Sequence, residues 1–132
     1  MTLTEVRTEE AKIKKLLFDF FDAFDHLDET GLRKVFHSDA SLSYVGPDGY
    51  RMMPIDDWIA TVPIVKNNPD HIFNKEKAVK QIAYINITDS AASAKVEWKF
   101  TKFVFTDYYN LLNINGNWFI INKIWHTTNI PD

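Results

Sequence analysis

No cysteine occurs anywhere in the chain. Disulfides, thiolate nucleophiles, iron–sulfur clusters and cysteine-ligated zinc are therefore excluded together. Glycine is scarce, at four residues, which leaves too few for a phosphate-cradling glycine loop, and there is no Gly-x-Ser-x-Gly elbow. Basic charge is in deficit. Fifteen Lys and Arg stand against eighteen Asp and Glu, a net charge of −3, whereas a nucleic-acid binder carries a basic patch. The lysines that do cluster, Lys12, Lys14 and Lys15, follow Glu9 and Glu10 along a helical stretch and read as a solvated face. No apolar run approaches the ~20 residues of a membrane span. The acidic N-terminal decapeptide lacks the apolar core of a signal peptide. A cytoplasmic protein is expected, with no membrane and no nucleic-acid partner. The four histidines, His26, His37, His71 and His126, show no ligand spacing, so no metal and no cofactor are expected.

Aromatic residues, by contrast, are abundant: ten Phe, five Tyr and four Trp make up 14% of the chain. Large rings dominate cores, pockets and interfaces. The 132 residues fit one domain over 1–132, long enough to bury a core without a staple.

Helical periodicity fills the first half and strand alternation the second, the pattern of an α+β protein. Ile13, Leu16, Leu17, Phe20, Phe21, Phe24 and Leu27 recur at spacings of three and four over a helix expected from about Thr8 to Leu27. A short second helix is expected over Glu29–Phe36 behind Asp28. Ala40–Val45 alternates as a strand, turns at Gly46-Pro47-Asp48-Gly49 and returns over Tyr50–Met53. Pro54, Asp56 and Asp57 open a third helix that carries Ile55, Trp58, Ile59 and Val62 inward and is limited by Pro63. Residues Asn67–Asn74 read as loop. Ala78–Thr88 and Ala92–Phe100 are the next two strands. Asn115-Gly116 then joins Val104–Ile114 to Asn117–Trp125, the strongest hairpin-turn signal available. The expected architecture is three N-terminal-half helices on a strongly curved, mixed or antiparallel sheet: a cone.

A two-residue turn fixes the register of that last hairpin. One face then carries Phe105, Asp107, Tyr109 and Leu111 beside Trp118, Ile120, Asn122, Ile124 and His126. The other carries Thr106, Tyr108, Asn110 and Leu112 beside Phe119, Ile121, Lys123 and Trp125. Neither face is a clean solvent surface, so both are expected to be covered. Tyr108, Phe119, Ile121 and Trp125 would suit a homodimer interface. On the first face Asp107 lies diagonal to His126, an arrangement able to serve as an acid–base pair, or Asp107 simply pairs with a backbone amide or a lysine. Tyr109 and Asn122 lie opposite one another there. Phe20, Phe24, Tyr44, Trp58, Tyr84, Trp98, Tyr109 and Asn122 are candidates to bind a planar or apolar ligand in a pocket.

The segment Phe105–Trp118 with Lys123-Ile124-Trp125-His126 resembles the closing hairpin of the Putative lumazine-binding family, within the nuclear transport factor 2-like superfamily. Phe36–Leu42 and Met53–Ile59 resemble that superfamily's helix-to-strand junction and third-helix opening. The resemblance implies a cystatin-like cone with an internal pocket and, commonly, a homodimer packed through the sheet. It does not bring an activity with it. The position of the isomerase-type general base falls on Tyr44, and the isomerase-type tyrosine on the first helix has no counterpart among Phe18, Phe20, Phe21 and Phe24. A dehydratase-like site would use Asp107 and His126, with His37 and His71 left on a junction and a loop. Three functions follow: a binding module for a small apolar or planar molecule, a cofactor-free lyase, isomerase or cyclase using Asp107 and His126, or a dimeric scaffold with a filled cone.

Overall fold

The computed structural model describes all residues, Met1–Asp132. Helix α1 spans Leu3–Asp25, five residues earlier than the apolar stripe requires, because Thr2 and Glu5 form a reciprocal capping box at its start. Helix α2 is Glu29–Val35. Strand β1, Phe36–Gly46, pairs with β2, Gly49–Pro54, across the Gly46–Gly49 turn, where Gly49 takes φ +108°. Helix α3, Ile55–Ala60, is followed by two further helical turns, α4 over Val62–Lys66 and α5 over Ile72–Lys75. Pro63 therefore opens a new turn as well as ending the old one, and part of the expected 67–74 loop is helical. Strands β3, Val79–Thr88, β4, Ala91–Lys99, β5, Phe103–Ile114, and β6, Asn117–Asn129, complete the chain.

The six strands form one sheet in the order β2-β1-β6-β5-β4-β3. It is mixed: β1 runs parallel to β6, and every other pairing is antiparallel. The β5–β6 turn has Asn115 at φ 55° and Gly116 at φ 91°, the two positive values of a type I′ turn.

Helix α1 lies on the concave side and buries Ile13, Leu17, Phe20 and Phe21. Phe20 is the hub, with ring centroids 5.3 Å from Phe36, 5.6 Å from Trp98 and 5.8 Å from Tyr109, all near edge-to-face. Each such ring contributes about 1.5–3 kcal/mol through burial, with a further increment from edge-to-face geometry. At the other end of α1, the Trp118 indole donates to Glu9 Oε2 over 2.5 Å. That bond, followed by Lys12, holds the Glu9 carboxyl below its ordinary range. These contacts seat the helix against β4, β5 and β6 and leave its C-terminal end over the site.

Candidate functional site

The hairpin register holds from Ile114–Asn117 back to Leu111–Ile120, and then slips. Asn110 pairs with Asn122, leaving Ile121 as an extra residue. Such a bulge inverts the facing of every residue beyond it. Lys123 and Trp125 therefore point to the concave side, while Asn122, Ile124 and His126 turn to the convex side. Three expectations are corrected. His126 pairs with Thr106 on the outer face, so the Asp107–His126 couple does not exist. Asn122 is not opposite Tyr109 but accepts from Asn110 Nδ2 and approaches Ser41, each over 3.4 Å. Trp125 leaves the proposed dimer face for the cavity. A second bulge at Ala83, between the pairs Ile82–Val96 and Tyr84–Lys95, carries Tyr84 outward in the same way.

On the concave side, what stands beside Asp107 is Lys123. Tyr109 on β5 faces Lys123 on β6, and Asp107 faces Trp125. Asp107 is 2% exposed, Lys123 8% and Tyr109 fully buried. The Tyr109 hydroxyl donates to Asp107 Oδ2 over 2.6 Å and accepts from the Trp98 indole over 3.2 Å. Lys123 Nζ lies 3.5 Å from the same Oδ2. It also sits 5.0, 5.3 and 5.7 Å from the ring centroids of Trp125, Trp58 and Phe20, within cation–π range of all three. Asp107 Oδ1 is buried with no hydrogen-bond partner. Burial pushes the Asp107 carboxyl above its ordinary value, against the opposing pull of Lys123 and then of Tyr109. Burial and the neighbouring Asp107 charge push the Tyr109 phenol well above its usual range.

Above this polar group lies a cavity of about 170 Å³, lined by Phe24, Trp58, Phe73, Trp98, Phe105, Asp107, Lys123 and Trp125. Wider hollows of about 520 and 630 Å³ run along α1, but each has a single apolar lining residue and no contact with the buried pair. The aromatic cavity is the site where apolar walls and a few convergent polar groups coincide.

Of the residues singled out in the sequence, Phe24, Trp58, Trp98 and Asp107 line the cavity. Phe20 lies behind it under Lys123, and Tyr109 ties its floor together. Tyr44 stacks on Trp125 at 4.6 Å without lining the space. Lys123, Phe73 and Phe105 are missed by the sequence reading. The signal for Lys123 was present: on one face of a strand expected to be covered on both sides, it stands between two large apolar residues, Ile121 and Trp125. No three His, Asp or Glu side chains stand close enough to hold a metal ion, and no helix is long and apolar enough to cross a membrane.

Comparison with solved structures gives the same architecture. A nuclear transport factor 2-like protein of unknown function from Shewanella baltica OS155 is 28% identical, with TM-score 0.77, over 100% of this chain and 99% of that one. One from Silicibacter pomeroyi DSS-3, also of unknown function, is 20% identical, with TM-score 0.78, over 97% and 100%. A cystatin-like protein of unknown function from Nostoc punctiforme is 15% identical, with TM-score 0.71, over 90% of each chain. No curated protein matches the chain. The family model described as Putative lumazine-binding matches residues 8–126. The chain belongs to that family, and its fold is the nuclear transport factor 2-like α+β cone.

Proposed function

We propose that the chain is a binding protein for one small, flat molecule, held in the aromatic cavity on the concave side of the sheet. The observation that carries this reading is a cavity walled by three tryptophans and three phenylalanines, with the Asp107–Lys123 pair at its floor. Apolar walls around a small number of polar groups are the ordinary composition of a small-molecule site. At about 170 Å³ the space lies below the ~300 Å³ lower bound of drug-sized pockets, so it suits a fused bicyclic ring and not a steroid-sized ligand. Because Trp58, Trp98 and Trp125 all line it, intrinsic fluorescence reports occupancy directly. Trp58→Ala should weaken binding of such a ring about tenfold or more, since stacking contributes beyond area burial. Equal affinity in the variant and the parent would remove the cavity from the account.

A homodimer through the convex face is a second proposal, supported by one row of side chains. Met52, Ser43, Ile124, Tyr108, Lys95 and Tyr84 are successive cross-strand neighbours over all six strands. Met52, Ile124, Tyr108 and Tyr84 are exposed. The centre of the row falls between Ile124 and Tyr108. A twofold axis there sets Ile124 against the second copy's Tyr108, and Met52 against its Tyr84, which is the self-complementarity an isologous interface needs. Ile124→Lys should convert dimer to monomer in sedimentation equilibrium. A monomeric parent, or a variant that stays dimeric, would contradict this assignment.

A further inference from the structure

We infer that Lys123 is a nucleophile that captures an aryl aldehyde in the aromatic cavity as a protonated imine. This inference rests on the pocket reading above and adds a covalent step to it. Lys123 is the only amine among the lining residues. The paired lysines of α1, Lys12, Lys14 and Lys15, have half or more of their side chains in solvent, whereas Lys123 is buried. A lysine withdrawn from water among apolar walls is the setting in which the amine serves chemistry, Schiff-base formation included. Its ion-pair partner is Asp107 Oδ2 at 3.5 Å. The Tyr109 hydroxyl, itself held by the Trp98 indole, donates to the same oxygen and fixes the carboxylate in place. Burial holds the Asp107 carboxyl above its ordinary value, which suits it to take up a proton and return it.

The step balances within the pair. Nζ passes one proton to Oδ2, and a buried ion pair becomes two neutral groups, a change that apolar surroundings favour. The freed lone pair forms the Nζ–C bond, and the C=O π pair goes to oxygen. A second proton moves from Nζ to that oxygen and gives a carbinolamine. Its hydroxyl is two bonds from Nζ, and Oδ2 is the acid beside it. Oδ2 returns its proton to the hydroxyl, the C–O bond breaks, water leaves, and the nitrogen lone pair closes the C=N bond. Ammonium and aldehyde have become iminium and water, with no net proton released and Asp107 a carboxylate again. The site suits this product because the iminium carries the same charge on the same nitrogen. It keeps Asp107 as partner and the rings of Trp125, Trp58 and Phe20, at 5.0, 5.3 and 5.7 Å from Nζ, as cation–π neighbours. An aldehyde carbon bears a hydrogen where a ketone bears a second carbon group, which matters in a space of about 170 Å³.

The test uses 2-naphthaldehyde with sodium cyanoborohydride, which delivers hydride to the iminium carbon and fixes the adduct as a secondary amine. Its companion probe is 2-naphthalenemethanol, which has the same skeleton without the carbonyl and is followed by titration calorimetry. Peptide mass spectrometry of the parent reads which lysine is labelled. Lys123 should be labelled about 100-fold or more faster than the exposed Lys15 and Lys102, the lower end of what a positioned acid–base partner contributes. A saturating concentration of the alcohol should slow that labelling. Lys123→Arg, which keeps a cation beside Asp107 and removes the nucleophile, should retain only the slow labelling of exposed lysines. Binding of the alcohol without preferred labelling of Lys123 would overturn the nucleophile and leave the pocket standing. Neither binding nor preferred labelling would overturn the pocket and the nucleophile together. Preferred labelling of Lys123 that the alcohol does not slow would place the capture outside the cavity and overturn the assignment.

Discussion

Lys123→Met should cost about 3–5 kcal/mol of stability near neutral pH, because it leaves the Asp107 carboxylate buried without its counter-charge. The loss should depend on pH in a defined direction. The Asp107 carboxyl is already raised by burial, and Lys123 is the largest influence holding it down. Without Lys123 the folded-state value climbs further. A carboxyl raised on folding contributes stability that is fully present below its unfolded value and lost as pH rises through the folded one. The penalty in Lys123→Met should therefore be small below the ordinary Asp value of 3.8 and grow with rising pH. Asp107→Leu alone should also destabilise, since it strands the Lys123 ammonium and removes the acceptor of the Tyr109 hydroxyl. The double variant should lose clearly less than the sum of the two single losses, because no buried charge is left unpaired, and what it does lose reflects the Tyr109 hydroxyl left without its acceptor. Urea unfolding of all four proteins at two pH values completes the cycle. Additive single losses would mean that the two side chains do not act as a pair. A double variant more stable than the parent would identify the polar floor as a feature retained at the expense of stability, the signature of a working site.

Trp98→Ala should lower stability by about 3–5 kcal/mol, the cost of deleting a large buried ring and leaving a void. Trp98 touches Phe20, Phe21 and Phe24 at centroid distances of 5.6, 5.1 and 4.9 Å, so it joins three successive inward positions of α1 to the sheet. Its indole N–H also holds the Tyr109 hydroxyl. Domains of this size have only ~5–15 kcal/mol in total, so a fall in Tm of about 10–20 °C follows. Trp98→Phe keeps most of the ring contacts and loses the donor, and its Tm should fall between the two. A change of a few degrees in Trp98→Ala would show that α1 is held by its other contacts, such as the Glu9–Trp118 bond.

Much of this fold was legible in the chain. The spacing of Ile13, Leu17, Phe20 and Phe21 marks one face of α1, and Asn115-Gly116 fixes the last turn. What local pattern did not carry was the pair of β-bulges. Strand alternation presumes an unbroken period of two, and one extra residue at Ile121 inverts everything after it. The trace of that inversion was in the residues. Read without a bulge, both faces of the hairpin mix apolar and polar side chains. With the bulge, the concave face becomes Phe105, Asp107, Tyr109 and Leu111 with Trp118, Ile120, Lys123 and Trp125. The convex face then becomes the more polar, with Thr106, Asn110, Asn122 and His126. A hairpin with two mixed faces has two explanations, a covered sheet or a broken register, and the lone buried Asp favours the second because it needs a cation on its own face. Tyr84 was misplaced for the same reason, at Ala83. Phe73 was hidden by its setting in a segment without strand or helix periodicity, where only tertiary contact with Phe24 and Phe100 draws it to the cavity.

Native mass spectrometry of the protein purified from its own host, followed by denaturing extraction, tests the central claim most directly. Retention of a small planar compound by the parent, and its loss from Trp58→Ala, is the result predicted here. A parent that carries nothing, or a compound retained equally by both proteins, would contradict the assignment of the aromatic cavity as the binding site.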